Sequence, residues 1–162
     1  MTKVARLVFT LAIILAAAYT ATNASAQPAS VPPWAYKVAA FYSGGNQRTA
    51  ITCDWTNTDG TTGVGGSGDM HLNPRICAAL WTLDKEGARS QAGLVIGGFG
   101  LSVLIHESLH NRVQAGWDNG DEIIIGDLGV RLVPDAVQRF WGVKLNSPWG
   151  RKYVAAALGR LR

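Results

Sequence analysis

"AGLVIGGFGLSVLIHESLH", Ala92 to His110, is the stretch that decides the fold of this 162-residue chain. Its first 14 residues, Ala92 to Ile105, carry no charge and are mostly apolar. They are too few for a membrane span, which needs roughly 20 apolar residues, and they favour a helix buried in a core. The glycines within them lower the intrinsic helix propensity but let other backbones approach closely. We predict a central helix from about Gly97 to about Val113.

Shorter elements are predicted on both sides of this helix. Asn73 can cap a helix that starts at Pro74, and Asp118 is a suitable N-cap for a second apolar helix. In chain order, the pattern predicts a short element at 34–41, a strand at 49–55, a glycine-rich loop at 56–69, and helices at 74–83, 97–113, 122–133, 134–142 and 148–161. We therefore expect an α+β fold, mainly helical, in one domain at 34–162.

The N-terminus has the pattern of a secretory signal peptide. Lys3 and Arg6 precede an uncharged apolar run, Leu7 to Ala18, and Ala24-Ser25-Ala26 matches the small-x-small cleavage pattern. We predict a signal peptide at 1–26, cleavage before Gln27, and a flexible leader at 27–33. The mature protein is then expected to be secreted or to stay in the cell envelope.

The charge of the mature chain gives little support to nucleic-acid binding. The formal net charge is +4, and loss of Lys3 and Arg6 with the signal peptide lowers it to +2. The bases concentrate at the C-terminus, where six of them and no acid follow residue 138. Weak contact of that segment with an anionic cell-envelope surface is the expectation that remains.

Two cysteines, Cys53 and Cys77, both lie in the mature part of the chain. Export places them in an oxidising space, and an even count there predicts one disulfide bond. Neither cysteine has the CxxC or CxxH spacing of a zinc site.

The end of the central helix carries His106, Glu107 and His110. Residues four apart lie on one face of a helix, so the two imidazoles can bind one ion. Zinc accepts such nitrogen ligands at about 2.0–2.1 Å. Glu107 is turned about 100° from His106, where it can take a proton from a metal-bound water.

This His-Glu-x-x-His pattern resembles the zincin metallopeptidases. The resemblance implies that His106 and His110 are zinc ligands and that Glu107 is the catalytic base. Arg112 departs from the pattern, since zincins usually have an apolar residue two places after the second histidine. The extended metzincin form does not match, because Val113 and Gly116 occupy its glycine and last-ligand places.

The third metal ligand is sought among the acids after the motif, as in glutamate-type zincins. Glu122 is the first choice, and Asp127 and Asp121 are the alternatives. Asp118 is better explained as a helix cap. His71 is an outside candidate, for which a solvated loop histidine is the simpler interpretation.

The order "TCDW … HLNPRIC … HESLH … DE" also resembles small exported bacterial proteins in which a cysteine pair precedes such a helix and an acidic pair follows it. Together the patterns predict an exported zinc-dependent hydrolase, a metallopeptidase acting on peptide or protein. The alternative is a non-catalytic cell-envelope protein with a structural metal and a basic C-terminal helix.

Overall fold

The computed structural model describes residues 30–46, 50–54, 59–62, 69–113 and 119–146. The elements are α1 (Pro33–Tyr42), β1 (Ile51–Thr52), β2 (Gly60–Thr62), β3 (Met70–Leu72), α2 (Pro74–Glu86), α3 (Gly98–Val113), α4 (Asn119–Arg131) and α5 (Val133–Trp141). The α+β, mainly helical fold class is confirmed. The predicted signal peptide, the helix at 148–161 and the Asp118 cap lie outside the described residues.

The three strands form one small sheet in the order β1-β3-β2. β1 runs parallel to β3, and β2 is antiparallel to it. Within the predicted strand at 49–55, the structure describes residues 50–54 and only Ile51–Thr52 form a strand, so the prediction is too long. The prediction of a loop over all of 56–69 is wrong at Gly60–Thr62. The loop interpretation failed because the hydrogen-bonded partner of β2 lies in β3, beyond the glycine-rich stretch.

The sheet is joined to α2 by the predicted disulfide. Cys53, directly after β1, is bonded to Cys77 in the first turns of α2. The cap of α2 is also confirmed: the side chain of Asn73 accepts a hydrogen bond from the backbone N–H of Arg75, 3.0 Å away, and Pro74 opens the helix. The helix runs three residues further than predicted, to Glu86.

The motif helix α3 is the centre of the core, as predicted. A π-helical turn, Gly93–Gly97, leads into it without a break. Its apolar side chains have no exposed surface at positions 101, 104, 105 and 109. Residues 93–113 are long and apolar enough to span a membrane, but most of this stretch is buried within the fold. Its burial is that of a core helix.

Close contact between α3 and α2 depends on the glycines at the start of the apolar stretch. A Cβ atom at Gly97 would lie 2.4 Å from Cβ of Leu83, and one at Gly100 would lie 2.9 Å from Cβ of Ala79. Real Cβ atoms do not approach so closely. The helices therefore pack backbone to backbone, which fixes the position of the motif at the far end of α3.

The remaining helices and the described end of the leader pack around this centre. Tyr42 at the end of α1 donates a 2.9 Å hydrogen bond from its hydroxyl to the buried Asp135 of α5. Ser30 pairs with Thr52, and Val31 is buried in the core. Residues 30–33 of the predicted leader are therefore in contact with the folded domain.

Candidate metal centre

His106 and His110 bring their Nε2 atoms to within 3.0 Å of each other on one face of α3. The side chain of His110 is 6% exposed and that of His106 is 22% exposed. Helical spacing of four residues explains why the two rings share a face. The apolar body of the helix explains why that face is largely removed from water.

Glu122, from the first turn of α4, completes the group. Its Oε1 atom lies 3.2 Å from Nε2 of His106, and its Oε2 atom lies 3.1 Å from Nε2 of His110. The carboxylate is 55% exposed, so it closes the group from the solvent side. The structure thus unites the three residues that the sequence favoured as metal ligands.

A glycine on α4 permits this approach, and the sequence analysis did not single it out. A Cβ atom at Gly129 would lie 3.1 Å from Cβ of His106 and 3.0 Å from the carbonyl oxygen of Ser102. α4 therefore lies directly on the backbone of α3 at the first histidine. The sequence does offer one indication, because a glycine inside an apolar helix often allows close packing against a neighbouring element.

Burial keeps both imidazoles in the neutral form that a metal requires. Burial lowers the pKa of His106, and it outweighs the neighbouring Glu122 carboxylate, which raises it. The pKa of His110 falls to about 4, chiefly because of burial and further because of the positive charge that His106 would carry. Near neutral pH, two uncharged imidazoles and a carboxylate therefore face one point.

The spacing of the two imidazole nitrogens is close to that around a tetrahedral ion. Two ligands bonded at about 2.0–2.1 Å with a tetrahedral angle between them stand about 3.3 Å apart, and the two Nε2 atoms are 3.0 Å apart. Each nitrogen contacts a different oxygen of Glu122, and one ligand atom from each of the three residues lies within 4.8 Å of the others. Among the described residues, His106, His110 and Glu122 form a group that could hold a metal ion.

Glu107 lies beside this group rather than in it. Its side chain is buried, with the residue only 5% exposed, and it projects toward β2. A Cβ atom at Gly60 would stand 2.9 Å from its Oε1 atom. The neighbour of the first histidine is therefore a carboxylate held between the motif helix and the edge of the sheet.

The other candidate ligands are placed differently. Oδ2 of Asp127 lies 2.5 Å from Nε of Arg131, one turn further along α4, and the aspartate is 53% exposed. Nδ1 of His71 lies 2.8 Å from both Oδ1 of Asp54 and Oγ1 of Thr52, on the sheet. The side chain of Asp121 lies outside the described part of the chain. Neither Asp127 nor His71 belongs to the group at α3.

Comparison with known proteins gave no match to a protein-family model and no significant match to a curated protein or a solved structure. The likeness to zincins therefore depends on the motif itself and on its chemistry.

Proposed function

We propose that the protein is an exported zinc-dependent hydrolase that cleaves peptide bonds. The observation that carries the proposal is the group of His106, His110 and Glu122: the imidazole nitrogens are 3.0 Å apart, each lies 3.1–3.2 Å from an oxygen of Glu122, and the buried Glu107 follows His106 in the chain. Neutral imidazoles and a carboxylate are ligands that zinc accepts. Three protein ligands leave a fourth tetrahedral position open, which is typical of a catalytic rather than a structural zinc site.

The proposed roles follow from the position of each side chain. His106, His110 and Glu122 would hold the ion, and the ion would polarise the scissile carbonyl and lower the pKa of a water molecule toward neutrality. Glu107 would take the proton from the attacking water and pass it to the leaving amine. Its burial beside the histidines supports this role, because a base in a water-poor site is held in one orientation.

The proposed location is supported by the disulfide between Cys53 and Cys77. Disulfides persist outside the cytoplasm and are rare within it. Together with the N-terminal pattern, this favours action in the envelope or the medium. The substrate would then be an extracytoplasmic peptide or protein.

The experiment that tests the proposal compares the wild-type protein with Glu107→Gln. Both should contain about one zinc ion per chain, because the substitution keeps the size of the side chain and leaves the ligands intact. Only the wild type should cleave a peptide library, since an amide cannot accept the proton.

Three results would count against the proposal. A purified wild type without zinc would contradict the metal site. Cleavage that survives Glu107→Gln would remove that residue from its role. Zinc without turnover in the wild type would favour the non-catalytic envelope protein with a structural metal.

A further inference from the structure

Gly60, at the start of β2, has no space for a side chain. A Cβ atom there would lie 2.9 Å from Oε1 and 3.0 Å from Cγ of Glu107, and 3.0 Å from Cδ2 of Leu72. These contacts are closer than nine in ten real Cβ contacts. The backbone of β2 therefore reaches the carboxylate side chain only because residue 60 is glycine.

We infer that Gly60 is a positioning residue for Glu107: the missing side chain lets β2 lie against the carboxylate and hold it in the place from which it acts as base. This inference rests on the proposed function, since it assigns Glu107 the role of base. In the sequence, Gly60 stands within the glycine-rich stretch that predicts a loop at 56–69.

The surroundings decide which neighbour would yield to an added methyl group. Leu72 is fully buried, and its strand is the central one of the sheet. Oε1 of Glu107 is the far end of a side chain with three rotatable bonds, so it moves at lower cost. A methyl group at position 60 is therefore expected to displace the carboxylate and to leave the core in place.

Such a displacement should affect the chemical step more than substrate binding. Proton transfer requires a heavy-atom separation of roughly 2.6–3.2 Å, and a misplacement of about 1 Å can cost 100-fold in rate. His106, His110 and Glu122 lie on α3 and α4, outside these contacts. Zinc content should therefore be unchanged.

The test compares Gly60→Ala with Gly98→Ala in the full-length zinc protein. Gly98 is a matched control, because it has helical backbone angles and a Cβ atom there would meet only Cγ1 of Val133, at 3.9 Å. In Gly60→Ala, kcat should fall about tenfold or more while KM stays within about twofold, and in Gly98→Ala both should stay near the wild-type values. A wild-type kcat in Gly60→Ala overturns the inference.

A second measurement does not depend on turnover. The NMR signal of the Glu107 side-chain carboxyl carbon should shift in metal-free Gly60→Ala and stay in place in Gly98→Ala. An unmoved signal in Gly60→Ala overturns the inference. If the signal moves in Gly60→Ala but neither this variant nor the wild type cleaves peptide, the contact between Gly60 and Glu107 is supported and only the proposed function is overturned.

If Gly60→Ala alone does not fold, the double variant with Glu107→Ala decides. Removal of the glutamate side chain opens the space that the new methyl group needs, so the double variant should fold. A double variant that is also unfolded would place the obstruction at Leu72 and overturn the inference.

Discussion

Two histidine–carboxylate groups in this molecule have similar contact distances and very different surroundings. His71 lies 2.8 Å from Asp54 on the sheet, where the two side chains are 37% and 60% exposed. His110 lies 3.1 Å from Glu122 between two helices, where the histidine side chain is only 6% exposed. A short distance between a histidine and a carboxylate is therefore not enough to indicate a metal site.

The difference lies in the number of donors and in burial. The His71 ring uses one nitrogen, Nδ1, for contacts with Asp54 and Thr52. The hydrogen bonds that His71 and the Thr52 hydroxyl make to Asp54 lower the pKa of its carboxyl. The group of His106, His110 and Glu122 (the helical group) has a second imidazole where the sheet has the Thr52 hydroxyl. Burial lowers the pKa of both of its histidines. The His71–Asp54 pair (the sheet group) is a hydrogen-bonded pair at the surface, whereas the helical group brings two buried imidazoles and a carboxylate together in a set that could hold an ion.

The largest expected effect is on zinc affinity, which should depend on His106 and not on His71. His106→Ala should weaken zinc binding on the order of a thousandfold, because it removes one of the three proposed ligands from a site expected to have the strength typical of zinc domains. His71→Ala is the matched control and should leave the affinity unchanged. Competition with a zinc chelator measures both, and equal losses in the two variants would contradict the distinction.

Glu122 and Asp127, two of the three acids of α4, provide the next comparison. Glu122→Ala should weaken zinc binding several hundredfold, which exceeds the 10–100-fold cost of losing an outer-shell partner. Asp127→Ala removes a surface pair with Arg131 and should cost about 0.5 kcal/mol of stability with no change in affinity. The same chelator titration measures both variants. A larger loss in Asp127→Ala would make Asp127 the ligand.

The pH dependence of stability should distinguish the groups in the metal-free protein. The pKa of His110 is 6.5 when unfolded and about 4 in the fold, so the unfolded chain binds the proton more tightly between these values. The free energy of unfolding should therefore fall by on the order of 2 kcal/mol, with solvent screening taken into account, as the pH drops from 6.5 to 4, and His106 acts in the same direction.

Urea denaturation across this pH range checks the prediction, with His110→Gln as the control that should flatten the slope. The lowered pKa of Asp54 stabilises the fold above its ordinary value of 3.8, and this contribution is lost only as the pH falls below that value. A free energy that stays constant from pH 6.5 to 4 would show that the histidines are not buried as described.

Removal of the disulfide tests whether the helical group depends on the same part of the structure as the sheet group. Cys53 lies between Thr52 and Asp54, and its bond to Cys77 spans 24 residues. The double variant Cys53→Ser/Cys77→Ser should lose about 3 kcal/mol of unfolding free energy, measured in urea. While it remains folded, it should bind zinc like the wild type, because α3 and α4 carry the ligands. Loss of affinity in the folded variant would contradict that independence.

The sequence predicted the helices better than the strands, because the signals that mark a helix lie close to it in the chain. Capping at Asn73, the apolar run before His106 and the glycine after α5 are signals within a few residues of the elements they bound. β2 has no such signal, because its hydrogen bonds go to β3 across residues 63–68. Pairing partners that are distant in the chain are set by tertiary packing, which a local pattern does not contain.

The same division applies to the candidate site. The sequence by itself determined that His106 and His110 share a helical face and that Glu107 lies beside them, because helical geometry fixes the angles between neighbouring side chains. Only the tertiary structure shows that Glu122, and not Asp127, lies at the histidines, since this depends on how α4 crosses α3. Gly129 allows that close crossing and places Glu122 at the histidines, and Gly60 brings β2 to Glu107. Both contacts require the backbone of one element to approach a neighbouring element where a side chain is missing, and a sequence does not show which neighbour fills that space.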